Sequence, residues 1–403
     1  MNPMKVIEKK YLLPFVLVTS LFALWGLANN MTDTLLAAFR KIMQMSDTQT
    51  SFIQMAFYGA YFCLALPAAL FIKKYSFKSG IILGLCLYAA GAILFLPAAG
   101  AASYAFYLIA IYIMASGCSV LETAANPYIM SMGSPETATR RLNIAQSFNP
   151  IGSILGILVS KFFILRDISL YSVSGTYAVL GGVLLVIMLV MLFSHMPEGK
   201  DKVKQDSLKA TFRRLLKNRE YVWGVVAQFF YVGAQIGVWS FTIRLVMKEL
   251  GYVEAQAATI YLISIIGFCT SRFIYTWLMK YVSPERLLAA GGILSALCAL
   301  TVVLTGGWLC VIALILISVF MSLMFPTIYG IALGSVAEGE NPDDTKIGAS
   351  GLIMAILGGA LLTPLQGMVS DAAGINLSYC VPLICFLVVM FYALRSGKTV
   401  CRK

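Results

Sequence analysis

Charge is scarce in this sequence. Of 403 residues only 12% are Asp, Glu, Lys or Arg, about half of the ~25% found in soluble domains. That deficit excludes a chain that meets water over most of its surface. Histidine is scarcer still: the single one, His195, falls at a helix end and cannot build a His-based metal centre. The nine cysteines contain no CxxC pair. Most, such as Cys63, Cys86, Cys118, Cys269 and Cys298, sit in apolar runs and read as small packing residues, not as disulfides or metal ligands. No HExxH motif and no nucleophile elbow is present, so a membrane-embedded enzyme has no chemistry to work with. Gly397-Lys398-Thr399 looks like the end of a phosphate-binding loop, but Tyr392 stands where that loop needs its first glycine. Without an ATPase domain, any transport must run on an ion gradient or on the substrate gradient itself. Alternation with a period of two is missing too, which excludes a membrane β-barrel.

What the chain has instead is apolar length. Sixty per cent of it is hydrophobic, in runs such as Tyr11–Ala38, Phe52–Ile72, Gly80–Ala98 and Tyr104–Met132. Each crosses roughly 30 Å of hydrocarbon at ~1.5 Å per residue. The pattern predicts an all-α membrane protein with twelve spans, near 11–38, 49–72, 79–98, 103–132, 140–165, 173–195, 220–246, 254–280, 284–304, 308–335, 347–370 and 376–395. With the N-terminus placed in the cytoplasm, 23 of the 30 Lys and Arg residues fall in inside loops, six fall outside, and Arg272 lies within a span. This bias puts both termini in the cytoplasm. The net charge of +12 is thereby a topology signal, and no nucleic-acid partner is needed to explain it.

The longest polar stretch, residues 196–219, divides the chain into a six-helix bundle over 1–195 and another over 220–403. This cytoplasmic linker contains an amphipathic piece with Leu208, Phe212, Leu215 and Leu216, suited to a membrane surface. At an offset of 206 residues, Ala28-Asn29 falls on Ala234-Gln235, Lys74-Tyr75 on Lys280-Tyr281, and Gly152 on Gly358. An internal duplication with a substrate site near the bilayer midplane is a transporter pattern. Gly152-x3-Gly156 and Gly358-Gly359 allow close helix approach, and Pro127 and Pro326, in corresponding spans four and ten, are expected to bend their helices.

Ionisable groups in hydrocarbon cost about 2.5–3.5 kcal/mol each on the insertion scale and so need a partner, water or a function. Three stand out. Asp33 lies roughly 12 Å from the middle of span one, toward the outside. Glu122 lies within about a turn of the middle of span four. Burial penalises the charged form of a carboxyl, which makes both candidate proton carriers; the alternative is a carboxylate hydrogen-bonded or ion-paired for structure. Arg272 in span eight is either a charge partner for a carboxylate or an anchor snorkelling to the cytoplasmic side. Polar residues also recur at helical spacing: Asn143, Gln146, Asn149 and Ser153 in span five; Gln228, Tyr231, Gln235, Trp239 and Thr242 in span seven; Gln54, Tyr58 and Tyr61 in span two; Phe22, Trp25 and Asn29 in span one. Amides offer both donors and acceptors to sugar hydroxyls, and aromatic faces suit the apolar face of a pyranose. A single stripe would serve as interhelical glue; several together point to a wet central cavity.

The stretches Leu24-Trp25-Gly26-Leu27-Ala28-Asn29-Asn30-Met31-Thr32-Asp33, Leu121-Glu122-Thr123-Ala124-Ala125-Asn126-Pro127 and Arg141-Leu142-Asn143-Ile144-Ala145-Gln146-Ser147-Phe148-Asn149 resemble the L-fucose–proton symporters, the fucose permeases of the major facilitator superfamily. Ala227–Gln235 and Val369–Gly374 are similar as well, so the likeness runs through nearly the whole chain. It implies the major facilitator fold, two pseudo-symmetric six-helix bundles working by alternating access in a bacterial inner membrane. It implies that Asp33 and Glu122 couple the proton, and that Asn30, Gln146 and Asn149 face the sugar, beside Trp25, Tyr231, Gln235 and Trp239 from the stripes. The expected cargo is L-fucose or a related monosaccharide, moved inward with a proton by a monomer that needs no cofactor. A uniporter, or a carrier for galactose, glucose or another hexose or pentose, is the alternative. One departure bears on this: where the fucose permease has a tyrosine before Pro-Thr-Ile, this chain has Phe325.

Overall fold

A computed structural model of the chain describes residues 6–42, 47–164, 169–197, 207–337, 339 and 341–400. Among them every regular element is helical, and 12 helical segments are long and apolar enough to cross a membrane. The first half contains α1 (Leu12–Ile42), α2 (Asp47–Lys74), α3 (Phe77–Ile93), α4 (Phe95–Ala101), α5 (Tyr104–Ser131), α6 (Ala138–Gln146), α7 (Asn149–Val159) and α8 (Leu170–Phe193). A short helix, α9 (Leu208–Lys217), precedes the second half. The second half contains α10 (Arg219–Leu250), α11 (Glu254–Leu278), α12 (Pro284–Leu304), α13 (Gly307–Met321), α14 (Met324–Ala337), α15 (Pro342–Met354), α16 (Leu357–Ala373), α17 (Ile375–Ser378) and α18 (Cys380–Val400). All twelve expected spans are present. Their ends are set by ordinary caps: Ser76, Ser103 and Ser169 accept from the third backbone N–H beyond them, as does Asn218 at the head of α10.

The duplication extends beyond the few matched letters. An offset of 206 residues carries α1 onto α10, α2 onto α11, α3 onto α12, α5 onto α13 with α14, α6 with α7 onto α15 with α16, and α8 onto α18. Packing repeats with it: α1 lies on α7 as α10 lies on α16, α2 on α5 as α11 on α13, and α3 on α8 as α12 on α18. Single contacts repeat too. A Cβ on Gly152 would strike the backbone carbonyl of Ala23, and one on Gly358 would strike that of Phe229, the residue 206 positions after Ala23. Backbone cannot retreat as a side-chain tip can, so both glycines are fixed by helix approach. Gly152→Val and Gly358→Val are each expected to destabilise by at least ~1–3 kcal/mol through overpacking. Gly175→Val, where a Cβ meets nothing within 4 Å, should melt with the wild type. Thermal melting of the three variants in detergent checks this.

Close contacts group the chain into two compact units. One comprises Met1–Pro135, Phe148–Thr211 and Glu340–Met354; the other comprises Glu136–Ser147, Phe212–Gly339 and Ala355–Lys403. Each unit thus takes in the first half of a fifth-span helix from the other repeat. In the first unit α15 packs on α2 and α5, held by the Lys73–Asp343 ion pair at 2.9 Å and by Lys346 over the Phe77 ring. In the second unit α6 packs on α14 and α11, where Asn143 Nδ2 donates to Thr327 Oγ1 at 3.2 Å.

The two prolines behave differently. Pro127 lies inside α5, which runs without interruption, whereas Pro326 follows a break between α13 and α14. A third, Pro150, opens α7 after the break in span five. Of the cysteines, Cys118, Cys310 and Cys385 are buried as packing residues, while Cys63 and Cys86 are exposed on their helices.

Candidate functional site

In the first unit the polar centre forms on α5, whose middle is buried from Met114 through Met130. Glu122 is 8% exposed, and its Oε2 has no hydrogen-bond partner among the described residues. Tyr61 on α2 and Cys118, one turn back on α5, both lie within its electrostatic reach. Tyr61 is itself held from three sides. The Trp25 indole N–H donates to its hydroxyl at 2.7 Å, Ser119 Oγ donates to its carbonyl at 3.2 Å, and Phe57 packs against its ring at 5.5 Å. Phe22 stacks on Trp25 at 5.8 Å. A carboxyl, a phenol and an indole therefore stand in sequence between aromatic walls. An unmade hydrogen bond in such a place costs about 1–3 kcal/mol. The free oxygen can take a ligand or water hydroxyl, as an acceptor when ionised and as a donor when protonated.

Asn149 is half-buried at the start of α7, and its Nδ2 donates to the Phe22 carbonyl at 3.2 Å. Asn30 and Asp33 fall on α1 at positions whose side chains lie outside the described residues.

In the second unit the centre forms around Arg272 on α11, which is 3% exposed and so does not snorkel to water. Its Nε–H donates to the Ser322 carbonyl at 2.7 Å, and its Nη1 donates to the Gln146 carbonyl at 3.0 Å. Local sequence explains why these two oxygens are available. A helical carbonyl is normally taken by the N–H four residues on. Four residues after Gln146 is Pro150, and four after Ser322 is Pro326; neither has an N–H. Both oxygens also sit at helix C-termini, those of α6 and α13, where the helix dipole presents negative charge. One guanidinium with five donors fits two oxygens orphaned in this way. Among the described residues no carboxylate pairs with it, so it is a fixed cation neutralised only by carbonyl dipoles and by the Phe268 ring, 4.8 Å away.

Aromatic groups extend from that cation in both directions. Phe268 meets Trp239 edge-on at 5.0 Å, and the Trp239 N–H donates to Ser318 Oγ at 3.3 Å. On the other side Tyr231 lies within electrostatic reach of Arg272 and 6.4 Å from the Phe325 ring. The Tyr231 hydroxyl is buried beside the Phe325 backbone, and both polar atoms of Gln228, one turn earlier on α10, are buried without a partner among the described residues. Gln235 is half-buried on the same helix. The Gln146 side chain is buried at the end of α6.

Trp25 and Glu122 are thus brought to one place, and Tyr231, Trp239 and Arg272 to another. The residue joining the first pair, Tyr61, was visible on a polar stripe but not as the link between an indole and a carboxyl. Gln366 was missed altogether. It is 1% exposed on α16, with both amide atoms unpartnered among the described residues, and its amide lies against Gly237. Its sequence signal was a lone amide in an apolar run. The polar stripe of span five is in large part glue: Asn143 bonds Thr327 and the Thr139 carbonyl, Asn149 bonds the Phe22 carbonyl, and Ser153 donates to the Asn149 carbonyl.

Twelve spans from a duplicated six-span unit, with buried polar groups in both halves that are unpartnered among the described residues, are the pattern of a secondary transporter. The chain belongs to the Major Facilitator Superfamily, whose family profile matches residues 16–352, and within it to the fucose permeases. It is 43% identical to the L-fucose-proton symporter of Haemophilus influenzae, over 98% of this chain and 99% of that protein. It is 37% identical to the L-fucose-proton symporter of Escherichia coli, over 97% of this chain and 95% of that one. Among solved structures, the transporter FucP in its outward conformation superimposes with a TM-score of 0.88 at 36% identity, covering 96% of this chain and 99% of that one.

Proposed function

We propose that this protein is a proton-coupled symporter that imports L-fucose or a closely related monosaccharide by alternating access. The observation that carries the reading is Glu122: a buried carboxyl with an oxygen unpartnered among the described residues, beside Tyr61 and Trp25, in a chain 43% identical to an L-fucose-proton symporter. Glu122 and Asp33 take the proton, so that the loaded carrier reorients without moving bare negative charge. Trp25, Tyr231 and Trp239 supply aromatic faces to the sugar ring, and Asn30, Gln146, Asn149 and Gln235 supply amides to its hydroxyls. Arg272 is a buried fixed positive charge that ties the helix ends at Gln146 and Ser322 together. The protein works as a monomer in a bacterial inner membrane with both termini in the cytoplasm, as its Lys and Arg distribution supports.

The energetics suit this scheme. Each proton moving through 100 mV supplies about 2.3 kcal/mol, which at ~1.4 kcal/mol per tenfold sustains roughly 40-fold sugar accumulation. One observation favours a second reading, a carrier for another hexose or pentose. Phe325 faces Tyr231 and offers no hydroxyl to the sugar.

The test uses liposomes containing the protein and a pH dye, with L-fucose added outside. Acidification of the interior by the wild type but not by Asp33→Asn is the expected result. Entry of labelled fucose without protons would leave a uniporter. If neither moves, the fucose assignment fails and a panel of hexoses and pentoses follows.

A further inference from the structure

Where span seven begins and span twelve ends, Leu216, Arg219, Val222, Trp223 and Arg395 line a pocket of about 210 Å³. Arg219 opens α10 and is exposed, with no partner among the described residues. Arg395 stacks over the Trp223 ring at 5.8 Å. The acids nearby stand outside the lining: Glu220 accepts from Ser396 Oγ, and Glu285 packs beside Gly397. The wall thus holds two guanidinium groups, an indole and two aliphatic side chains.

The adjoining helix adds an independent observation. On α9, Leu208, Phe212 and Leu216 form an exposed stripe one turn apart, while Lys209, Arg213 and Lys217 are exposed around it. A short helix with a bare apolar stripe among basic residues rests in the boundary between headgroups and acyl chains. The pocket therefore opens where lipid is the available ligand.

We propose that this pocket binds the headgroup of an anionic phospholipid, its phosphodiester held by Arg219 and Arg395 and its acyl chains lying against Leu216 and Phe212. Guanidinium forks match phosphate oxygens in pairs. With five donors, an arginine already engaged by a neighbour still has some to give. A choline headgroup is disfavoured, because its ammonium would meet two like charges and Arg395 already covers the Trp223 face that could receive it.

The test is native mass spectrometry of the purified full chain in detergent, titrated with dioleoylphosphatidylglycerol, dioleoylphosphatidylcholine or glycerol 3-phosphate. The wild type is expected to bind the phosphatidylglycerol far more tightly than the phosphatidylcholine. Each juxtamembrane charge contributes roughly fivefold. Arg219→Gln should therefore weaken binding about fivefold and Arg219→Gln with Arg395→Gln about 30-fold, while Lys280→Gln, at an exposed site outside the pocket, leaves it unchanged. Equal binding by the double variant, or equal binding of the two lipids, overturns the proposal. So does displacement of the lipid by equimolar glycerol 3-phosphate, which would mark a site for the free phosphate ester. Arg219 is exposed, so the single variant remains informative if the double variant does not fold.

Discussion

Glu122→Gln is expected to abolish concentrative uptake while leaving sugar exchange intact. The glutamine keeps the size and hydrogen-bonding reach of the side chain at a buried position next to Tyr61 and Cys118, but it cannot take up or release a proton. With an imposed 100 mV, inside negative, wild-type vesicles should approach the roughly 40-fold accumulation that one proton supports. Glu122→Gln vesicles should stop at equal concentrations inside and out. Exchange of labelled for unlabelled sugar needs only binding and reorientation of the loaded carrier. It should therefore continue in the variant, whose residue 122 is permanently neutral, as the protonated carboxyl would be. Accumulation by Glu122→Gln at the wild-type ratio would make Glu122 a structural carboxyl and leave Asp33 as the coupling group. Loss of exchange together with accumulation would mean that the unpartnered Oε2 contacts the sugar itself, as an acceptor an amide cannot replace in full.

Much of this was legible in the sequence because hydrocarbon enforces a strict accounting. Spans had to be about twenty residues and apolar, so all twelve could be counted. Glu122 could be singled out because a carboxyl in that setting needs a reason. The duplication could be suspected from Gly152 and Gly358 because only glycine allows a backbone carbonyl to come so close, and those of Ala23 and Phe229 do. Legibility ended where two different demands give one pattern. Amides at helical spacing line a wet cavity or bond to a neighbouring helix, and periodicity cannot separate the two. Asn143 and Asn149 turned out to bond neighbours, while Gln228 on another stripe is buried with both amide atoms unpartnered among the described residues. Pro127 and Pro326 lie in corresponding spans and looked alike, yet only the second follows a broken helix. Arg272 had two readings, and neither included what it binds. Its partners are carbonyls freed by prolines in other spans, and residue identities alone do not show which carbonyls a distant side chain will find.

That arrangement leads to the second large effect, the replacement Arg272→Met. Methionine keeps an unbranched apolar stem beside Phe268 but leaves part of the guanidinium's space empty, a modest cavity cost of its own. What it removes is every donor to the Gln146 and Ser322 carbonyls. Neither oxygen can recover its α-helical backbone partner, because Pro150 and Pro326 occupy the positions four residues on. Each buried orphan costs about 1–3 kcal/mol, and the C-termini of α6 and α13 lose their shared cation as well. On the other side of the balance, methionine abolishes the desolvation penalty of a buried guanidinium without a carboxylate, worth several kcal/mol. The two effects separate by measurement. If the carbonyls dominate, Arg272→Met melts well below the wild type in detergent, and Arg272→Lys recovers only part of the loss, since one ammonium on a flexible stem cannot address two oxygens in fixed directions. Pro150→Ala and Pro326→Ala, which restore the missing N–H groups, should then each soften the Met variant's defect. This rescue is the expected result, because a guanidinium's reach to two proline-freed oxygens is what the local geometry selects for. Wild-type melting of Arg272→Met, with transport lost, would instead assign the arginine to charge balance during the transport cycle and remove it from the framework of spans five and ten.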